Sequence, residues 1–146
     1  MDYTQMELDL IRDEGIRLRT YRCSAGHLTI GVGHKITDRD RIADGDTISL
    51  EAAGLMLNRD ISTAIGTANT VFGRDRFESM TDARQRALVN MIFNLGPERF
   101  AGFRRMVTAV KEHRWNDAAS ECLDSTYAKQ VGARADRVAE ALRTGK

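Results

Sequence analysis

The chain has 146 residues, of which 42% are hydrophobic and 29% are charged, as in one ordinary soluble globular domain. Its net charge of +1 argues against nucleic-acid-binding and membrane-surface proteins, which usually carry a strong basic excess. The two cysteines, Cys23 and Cys122, are too few and too far apart for a disulfide framework, so we expect a reducing compartment.

The N-terminal residues predict a helix and then a β-hairpin. Apolar residues recur at helical spacing over residues 3–13. Two stretches in which apolar and polar residues alternate, 16–21 and 27–32, flank the turn Ser24-Ala25-Gly26. A turn-rich segment follows, with a short third strand expected near Ile48.

The acidic, amphipathic N-terminus does not show the pattern of a signal peptide. No window approaches the ~18 apolar residues of a spanning helix. We therefore expect no membrane segment and a protein that stays inside the cell that makes it.

The remainder of the chain predicts helices. A long one covers about 50–68 with Ser49 as its N-cap, and a second runs from the cap Thr81 to Gly96. The second helix is apolar over much of its circumference and should be central to a helical lobe. Shorter helices are predicted at about 97–102, 103–112, 116–124 and 132–143.

These elements predict an α+β, mostly helical fold within a single domain, 1–146. We expect a small N-terminal β-hairpin lobe (about 13–58) and a connecting helix (about 50–68). The expected C-terminal lobe is all-α and comprises about 70–146 together with the helix 3–13.

Glu14 and Cys23 are the first candidates for chemistry. The partial negative charge at a helix C-terminus disfavours a carboxylate at Glu14 and favours its protonated form, which a general acid needs. Cys23 lies in the hairpin turn, where a thiol nucleophile would need a base or positive neighbours. The simpler interpretations are an exposed glutamate and a loop thiol without a role.

Two other uses of the Cys23 region can be considered. A Cys/His hydrolase could pair Cys23 with His27 or His34, although no cysteine-protease signature surrounds the thiol. A metal site built from the same three residues would lack a fourth ligand and a familiar spacing, so no metal is expected.

Thr29 follows on the returning strand. If the alternation continues, Thr29, Gly31 and Gly33 share one face, and the two glycines leave that face low enough to line a substrate. Alternatively, the glycines only relieve strand packing or mark a bulge.

These residues also carry a resemblance to a known family. Glu14, eight intervening residues, Cys23, five more and Thr29 match the catalytic pattern of the phage-type lysozymes, the glycoside hydrolase family 24 endolysins. Further matching segments are Asp13-Glu14-Gly15, Leu28 to His34, Arg86 to Gly96, Ala101-Gly102-Phe103, Arg114-Trp115, Arg134 to Arg137 and Arg143-Thr144-Gly145. The resemblance therefore covers nearly the whole chain.

The resemblance implies a two-lobed lysozyme that hydrolyses the β-1,4 bond between N-acetylmuramic acid and N-acetylglucosamine in peptidoglycan. Glu14 would be the general acid, Cys23 would stand where many members have Asp, and Thr29 would orient water or line the sugar. Phe93 would face the cleft, and Arg134 would lie near Glu14. Together with Gly31 and Gly33, these last two are the expected substrate-binding residues.

The resemblance further implies no cofactor, no nucleic-acid partner and a monomeric enzyme. Such a protein would accumulate in the host cytoplasm until a separate holin lets it reach the wall.

The role of a thiol at position 23 stays open between two routes. Cys23 could attack the anomeric carbon and give a retained product, or it could hold water with Thr29. Two other functions compete with the hydrolase: a lytic transglycosylase, which needs only an acid, and a non-catalytic wall-binding module.

Overall fold

The computed structural model describes all 146 residues, and α-helix dominates it. The helices are α1 (Tyr3–Glu14), α2 (Leu50–Phe72), α3 (Arg74–Glu78), α4 (Asp82–Leu95), α5 (Pro97–Ala101), α6 (Arg104–Lys111), α7 (Trp115–Leu123), α8 (Thr126–Val131) and α9 (Ala133–Thr144). The strands are β1 (Arg17–Arg22), β2 (Leu28–Gly31) and β3 (His34–Lys35), and a 3₁₀ helix covers Asp38–Asp40. The predicted α+β, mostly helical class is confirmed.

The chain forms two compact units. One comprises Glu7–Ser62, and the other comprises Met1–Met6 with Thr63–Lys146. The unit Glu7–Ser62, called the sheet unit below, holds all three strands. The other is called the helical unit. None of the helices combines the length and the apolar content required to cross a membrane.

The sheet is antiparallel with the order β1-β2-β3. Arg17 pairs with Gly31 and Tyr21 pairs with Thr29, so β1 carries an irregularity between Arg17 and Tyr21. Strand β2 then pairs with β3, where Ile30 lies opposite His34.

The predicted second strand, 27–32, corresponds to β2 to within a residue at each end, but the alternation does not extend to Gly33. Strand β2 ends at Gly31, and residues 32 and 33 form a turn before β3. Gly31 and Gly33 have φ values of 66° and 62°, which belong to the left-handed region and cannot continue a strand. Gly33 is therefore a turn residue.

The short third strand expected near Ile48 is misplaced, because the third strand of the sheet is β3 at His34–Lys35. The segment before α2 does reach the sheet, since Thr47 forms an isolated bridge with Arg19. The Ile48 amide donates to the Leu18 carbonyl at 2.8 Å. This single point of pairing lies beside β1.

Helix α2 is longer than predicted. The cap is confirmed, because Ser49 Oγ accepts a hydrogen bond from the Ala52 amide at 3.0 Å. The helix continues through Gly66 and ends before Gly73, whose φ is 84°. An isolated glycine lowers helix stability without ending the helix, which explains why residue 66 is not a stop.

Helix α4 is the core of the helical unit, as predicted. Thr81 Oγ1 accepts from the Arg84 amide at 3.4 Å and caps it. Nine of its residues are buried: Ala83, Gln85, Ala87, Leu88, Val89, Asn90, Met91, Ile92 and Leu95. Helix α9 packs against both α4 and α7.

The four short helices predicted after residue 96 correspond to α5, α6, α7 and α9 to within a residue at each end. Helices α3 and α8, of five and six residues, were not predicted. The expected burial of Cys122 in α7 is confirmed, and burial raises the pKa of this thiol to about 12.

Candidate active site

Glu14 is the last residue of α1, and it is half-buried. The helix ends there because the Gly15 amide donates to the Ile11 carbonyl at 2.9 Å and Gly15 then adopts a φ of 72°. The preceding Asp13 is paired with Arg12, whose Nε lies 3.1 Å from Asp13 Oδ1. Glu14 therefore has a fixed place at the helix terminus.

The Glu14 carboxyl lies against the backbone of Gly33. A Cβ placed on Gly33 would be 2.7 Å from Glu14 Oε2 and 2.9 Å from its Cδ. No real side chain tolerates such distances. The absence of a Cβ at residue 33, in the turn between β2 and β3, makes room for the predicted general acid.

Cys23 follows the end of β1 and is partly exposed. Its amide donates to the His27 carbonyl at 3.0 Å, and the Gly26 amide donates to the Cys23 carbonyl at 2.8 Å, so a tight turn holds the thiol. Burial raises the pKa of this thiol, but the amides of His27 and Ala25, the Thr29 hydroxyl and the charge of Lys35 together lower it. The net pKa lies below that of an ordinary cysteine.

Thr29 is buried, with 2% of its surface exposed. Its hydroxyl donates to the His27 carbonyl at 2.8 Å and also makes a hydrogen bond with the Cys23 side chain. A hydroxyl has only one hydrogen to donate. That hydrogen lies on the His27 carbonyl in this structure, and rotation of the hydroxyl lets it donate to the Cys23 thiolate instead, which is how Thr29 lowers the pKa of the thiol.

The structure thus places the five N-terminal site residues in the sheet unit, and four of them form two contacting pairs. Glu14 touches Gly33, and Cys23 touches Thr29. The shared face expected for Thr29, Gly31 and Gly33 is wrong, because Gly33 lies in the turn. The role of both glycines in substrate binding stays a prediction.

The surroundings of Gly31 show why the shared face fails. A Cβ on Gly31 would touch Ala53 Cβ at 3.7 Å and Ile48 Cδ1 at 3.8 Å. Gly31 is thus a buried position next to α2, whereas Gly33 is next to Glu14.

Tyr21 lies beside these residues, and the sequence analysis gave it no role. It is half-buried and lies directly opposite Thr29 in the sheet. Burial and the charge of Glu14 raise the pKa of its phenol, and Cys23 adds to the effect, whereas Arg17 opposes it. The alternation on β1 was the available signal, since it places Tyr21 and Cys23 two positions apart.

His34, the first residue of β3, lies between two carboxylates. Its Nδ1 is 2.7 Å from Asp60 Oδ2, and its Nε2 is 3.0 Å from Asp40 Oδ2. Hydrogen bonding to Asp60 and then Asp40 raises the pKa of His34 to about 9. Because both ring nitrogens are engaged and the ring stays protonated at neutral pH, His34 cannot be the base of a Cys/His pair.

No group of three or more His, Cys, Asp and Glu side chains is arranged to hold a metal ion. The Cys23, His27 and His34 set considered from the sequence therefore does not form a metal site.

Phe93 and Arg134 belong to the helical unit. Phe93 is half-buried, in contrast to its buried neighbour Ile92. Arg134 is buried on α9, where its Nε donates to Asn90 Oδ1 at 2.7 Å and its Nη2 to the Asn90 carbonyl at 3.4 Å. Their expected places, facing the cleft and beside Glu14, stay predictions.

The phage lysozyme family model matches residues 12–143, which include every candidate above. The chain belongs to the phage lysozyme family. It is therefore a lysozyme, a hydrolase of the bacterial wall, and the resemblance found in the sequence is confirmed.

Several proteins are similar to this phage lysozyme. The probable T4-type lysozyme 2 of Dictyostelium discoideum is 29% identical, over 91% of this chain and 90% of that protein. An endolysin of Salmonella phage P22 is 35% identical, over 64% and 62% of the two chains. The pre-baseplate central spike protein Gp5 of Enterobacteria phage T4 is 32% identical over 93% of this chain, which corresponds to 27% of that longer protein.

Proposed function

We propose that this phage lysozyme is an endolysin. Its substrate is the peptidoglycan of the host wall, and it hydrolyses the β-1,4 bond between N-acetylmuramic acid and N-acetylglucosamine. The observation that carries the proposal is the grouping of a carboxyl, a thiol of lowered pKa and a buried hydroxyl in the sheet unit, at Glu14, Cys23 and Thr29. The endolysins among its relatives support the biological role.

In the proposed mechanism, Glu14 protonates the glycosidic oxygen as the bond to the anomeric carbon breaks. The contact with Gly33 supports this role, because it fixes the carboxyl without covering it with a side chain. An acid held in one orientation loses little entropy on reaching the transition state.

Cys23 has two possible roles on the opposite side of the broken bond. In the first, the thiolate attacks the anomeric carbon while Glu14 gives its proton to the leaving sugar. Water, deprotonated by Glu14, then displaces the sulfur and leaves a retained product. In the second, Cys23 and Thr29 hold the attacking water, and one displacement gives an inverted product.

The lowered pKa of Cys23 supports either role, since it increases the fraction of thiolate relative to an ordinary cysteine. The anomeric configuration of the first product, followed by NMR, separates them. An inverted product would rule out the covalent route, and full activity after alkylation of Cys23 would rule out both.

The catalytic assignment is tested with purified walls and the variant Glu14→Gln. The wild-type chain should clear the walls, and the variant should bind them without clearing them while its unfolding curve stays unchanged. Clearing by the variant would exclude Glu14 as the acid. The absence of clearing by the wild-type chain would favour the non-catalytic wall-binding module.

Product analysis addresses the transglycosylase. Hydrolysis adds water and leaves reducing ends, whereas a transglycosylase leaves anhydro ends that are 18 Da lighter, roughly the mass of one water, as mass spectrometry would show.

The match to the spike protein Gp5 favours a second candidate, a lysozyme carried on the phage particle. Mass spectrometry of purified particles distinguishes the two. An endolysin should be absent from the particles and abundant in infected cells before lysis.

As an endolysin, the chain would accumulate as a monomer in the host cytoplasm. It would reach the wall only after a holin opens the membrane. Expression with and without a holin should show lysis only in the first case.

A further inference from the structure

Arg84, on α4, bonds to the last turn of α9. Its Nε donates to the Leu142 carbonyl at 2.9 Å, and its Nη2 donates to the Arg143 carbonyl at 3.4 Å. The last four carbonyls of a helix have no partner within that helix, and they carry the negative end of the helix dipole. The guanidinium therefore satisfies two of these carbonyls and brings the favourable sign of charge to them.

The same guanidinium lies over the ring of Trp115, the first residue of α7. Its Cζ is 3.8 Å from the ring centroid, which is cation–π geometry. The indole also contacts His113, whose ring packs against it edge-on with 5.5 Å between the centroids. Arg84 thus joins α4, α7 and α9 at one point within the helical unit.

Gly145, directly after α9, makes room for this contact. Its amide donates to the Ala141 carbonyl at 2.9 Å, and its φ is 74°, so it caps the helix in the left-handed conformation. A Cβ on Gly145 would lie 3.2 Å from Arg84 Cζ and 3.3 Å from Thr81 Oγ1. A side chain here would press on the guanidinium, so glycine serves both the helix cap and the approach of Arg84.

The other end of α9 is attached to α4 by a second arginine. Arg134 donates to Asn90 Oδ1 through its Nε at 2.7 Å and to the Asn90 carbonyl through its Nη2 at 3.4 Å. One arginine on each helix therefore bonds to the other helix, at opposite ends of α9. Folded proteins open locally in contiguous cooperative units, and a helix attached at both ends is a candidate for one.

Helix α9 also packs against α7, whose buried residues are Ala118, Ala119 and Cys122. Cys122 is 0% exposed. Burial raises the pKa of its thiol, and the charge of Asp136 on α9 adds to the rise, which agrees with α9 lying over this part of α7. Opening of α9 would therefore bring solvent to a thiol that the closed chain hides.

We propose that Arg84 is the latch of α9: its bonds to Leu142 and Arg143 and its contact with Trp115 keep the helix closed, and when they break, α9 opens as one unit. The rest of the helical unit stays folded in the open state, and Cys122 is exposed in it. This conformational device does not depend on the proposed catalytic roles.

The test is hydrogen exchange at low concentrations of denaturant in Arg84→Met and the wild type. The variant loses a charged donor and a cation–π contact, so the α9 amides from Val138 to Leu142 should all exchange faster by one common factor, about tenfold or more. Their rates should rise less steeply with denaturant than that of Leu88 in α4, because local opening exposes less surface. Arg104→Met, the same change at an exposed arginine of α6, should keep the wild-type rates.

Alkylation of Cys122 is a second readout. Over hours in iodoacetamide, its labelling should accelerate in Arg84→Met by the factor that applies to the α9 amides, and it should keep the wild-type rate in Arg104→Met. Gly145→Ala keeps Arg84 but displaces it, so it should give a smaller acceleration of the same kind. If Arg84→Met does not fold, Gly145→Ala decides.

Any of four results would overturn the proposal. Acceleration confined to the last turn of α9 would show that only this turn frays. Equal denaturant slopes for the α9 amides and Leu88 would show global unfolding. Unchanged rates in α9, or labelling of Cys122 that does not follow them, would show that Arg84 does not hold α9 closed over that thiol.

Discussion

The Glu14 carboxyl occupies the space in which a side chain at Gly33 would begin. The 2.7 Å between Oε2 and the position of a Cβ is well below any normal contact, and the φ of 62° at Gly33 is unfavourable for other residues. One glycine thus meets two requirements, a left-handed turn and room for the acid.

We predict that Gly33→Ala lowers both stability and activity. The strained backbone conformation should cost about 1–2 kcal/mol of unfolding free energy. The methyl group must also displace the carboxyl, so turnover should fall by at least about tenfold. Urea unfolding and initial rates on walls measure the two effects.

Gly54→Ala is the matched control, because Gly54 lies within α2 in the same unit and a Cβ there meets nothing within 4 Å. It should stabilise the chain by up to about 1 kcal/mol and leave the rate unchanged. Equal rates for Gly33→Ala and the wild type would contradict the role given to this contact.

A second prediction concerns His34, which joins β3 to Asp40 and Asp60. Its folded pKa of about 9 exceeds the ordinary value of ~6.5, so the bridge favours the folded chain. That stabilisation, about 3 kcal/mol, is complete below pH ~6.5 and is lost as the pH rises through about 9.

At the acidic end of the pH range, the stability of the folded chain depends on Asp40. Burial raises the pKa of Asp40, but the hydrogen bonds from Thr37 and His34 lower it by more, so the pKa falls below its ordinary value. Its contribution is present above the ordinary value of ~3.9 and disappears as the pH falls through the lowered one.

The variant His34→Asn should therefore lose about 3 kcal/mol near pH 6 and very little above pH ~9. Denaturant unfolding across this range measures the difference from the wild type. His27→Asn, at an exposed histidine, is the control and should follow the wild-type curve. A difference that stays constant with pH would show that the bridge does not depend on the charge of His34.

The sequence predicted the helices well because their signals are local. The caps Ser49 and Thr81, the stop at Gly96 and the apolar spacing of α2 and α4 each lie within a few residues. Helices α3 and α8 were not predicted because five or six residues are too few to show a helical period.

The site could be predicted only in part. The spacing of Glu14, Cys23 and Thr29 was visible through the family resemblance. Gly33 is needed because of its contact with Glu14, which lies on α1, and His34 binds Asp60, which is 26 positions away. Neither contact leaves a signal in the residues close by in the sequence. The alternation through residue 33 imitated a strand, and only backbone conformation shows the turn.

The last prediction separates the two thiols. Cys23 is partly exposed with a lowered pKa, whereas burial raises that of Cys122 to about 12. Because the thiolate is the reactive form, iodoacetamide should label Cys23 with an apparent midpoint below that of an ordinary cysteine, measured on an unstructured cysteine peptide, and should not label Cys122 in the folded chain. Mass spectrometry of peptides after labelling over a range of pH provides both curves in one experiment.

The contacts around Cys23 can be tested in the same way. Thr29→Val removes the hydroxyl that bonds to the sulfur and keeps the shape of the side chain, so the Cys23 midpoint should rise. Thr108→Val, at a threonine on α6 in the helical unit, should leave it unchanged. If Cys23 in the wild-type chain titrates at or above the value of a free thiol, the surrounding amides do not stabilise the thiolate, and both proposed roles for Cys23 lose their electrostatic support.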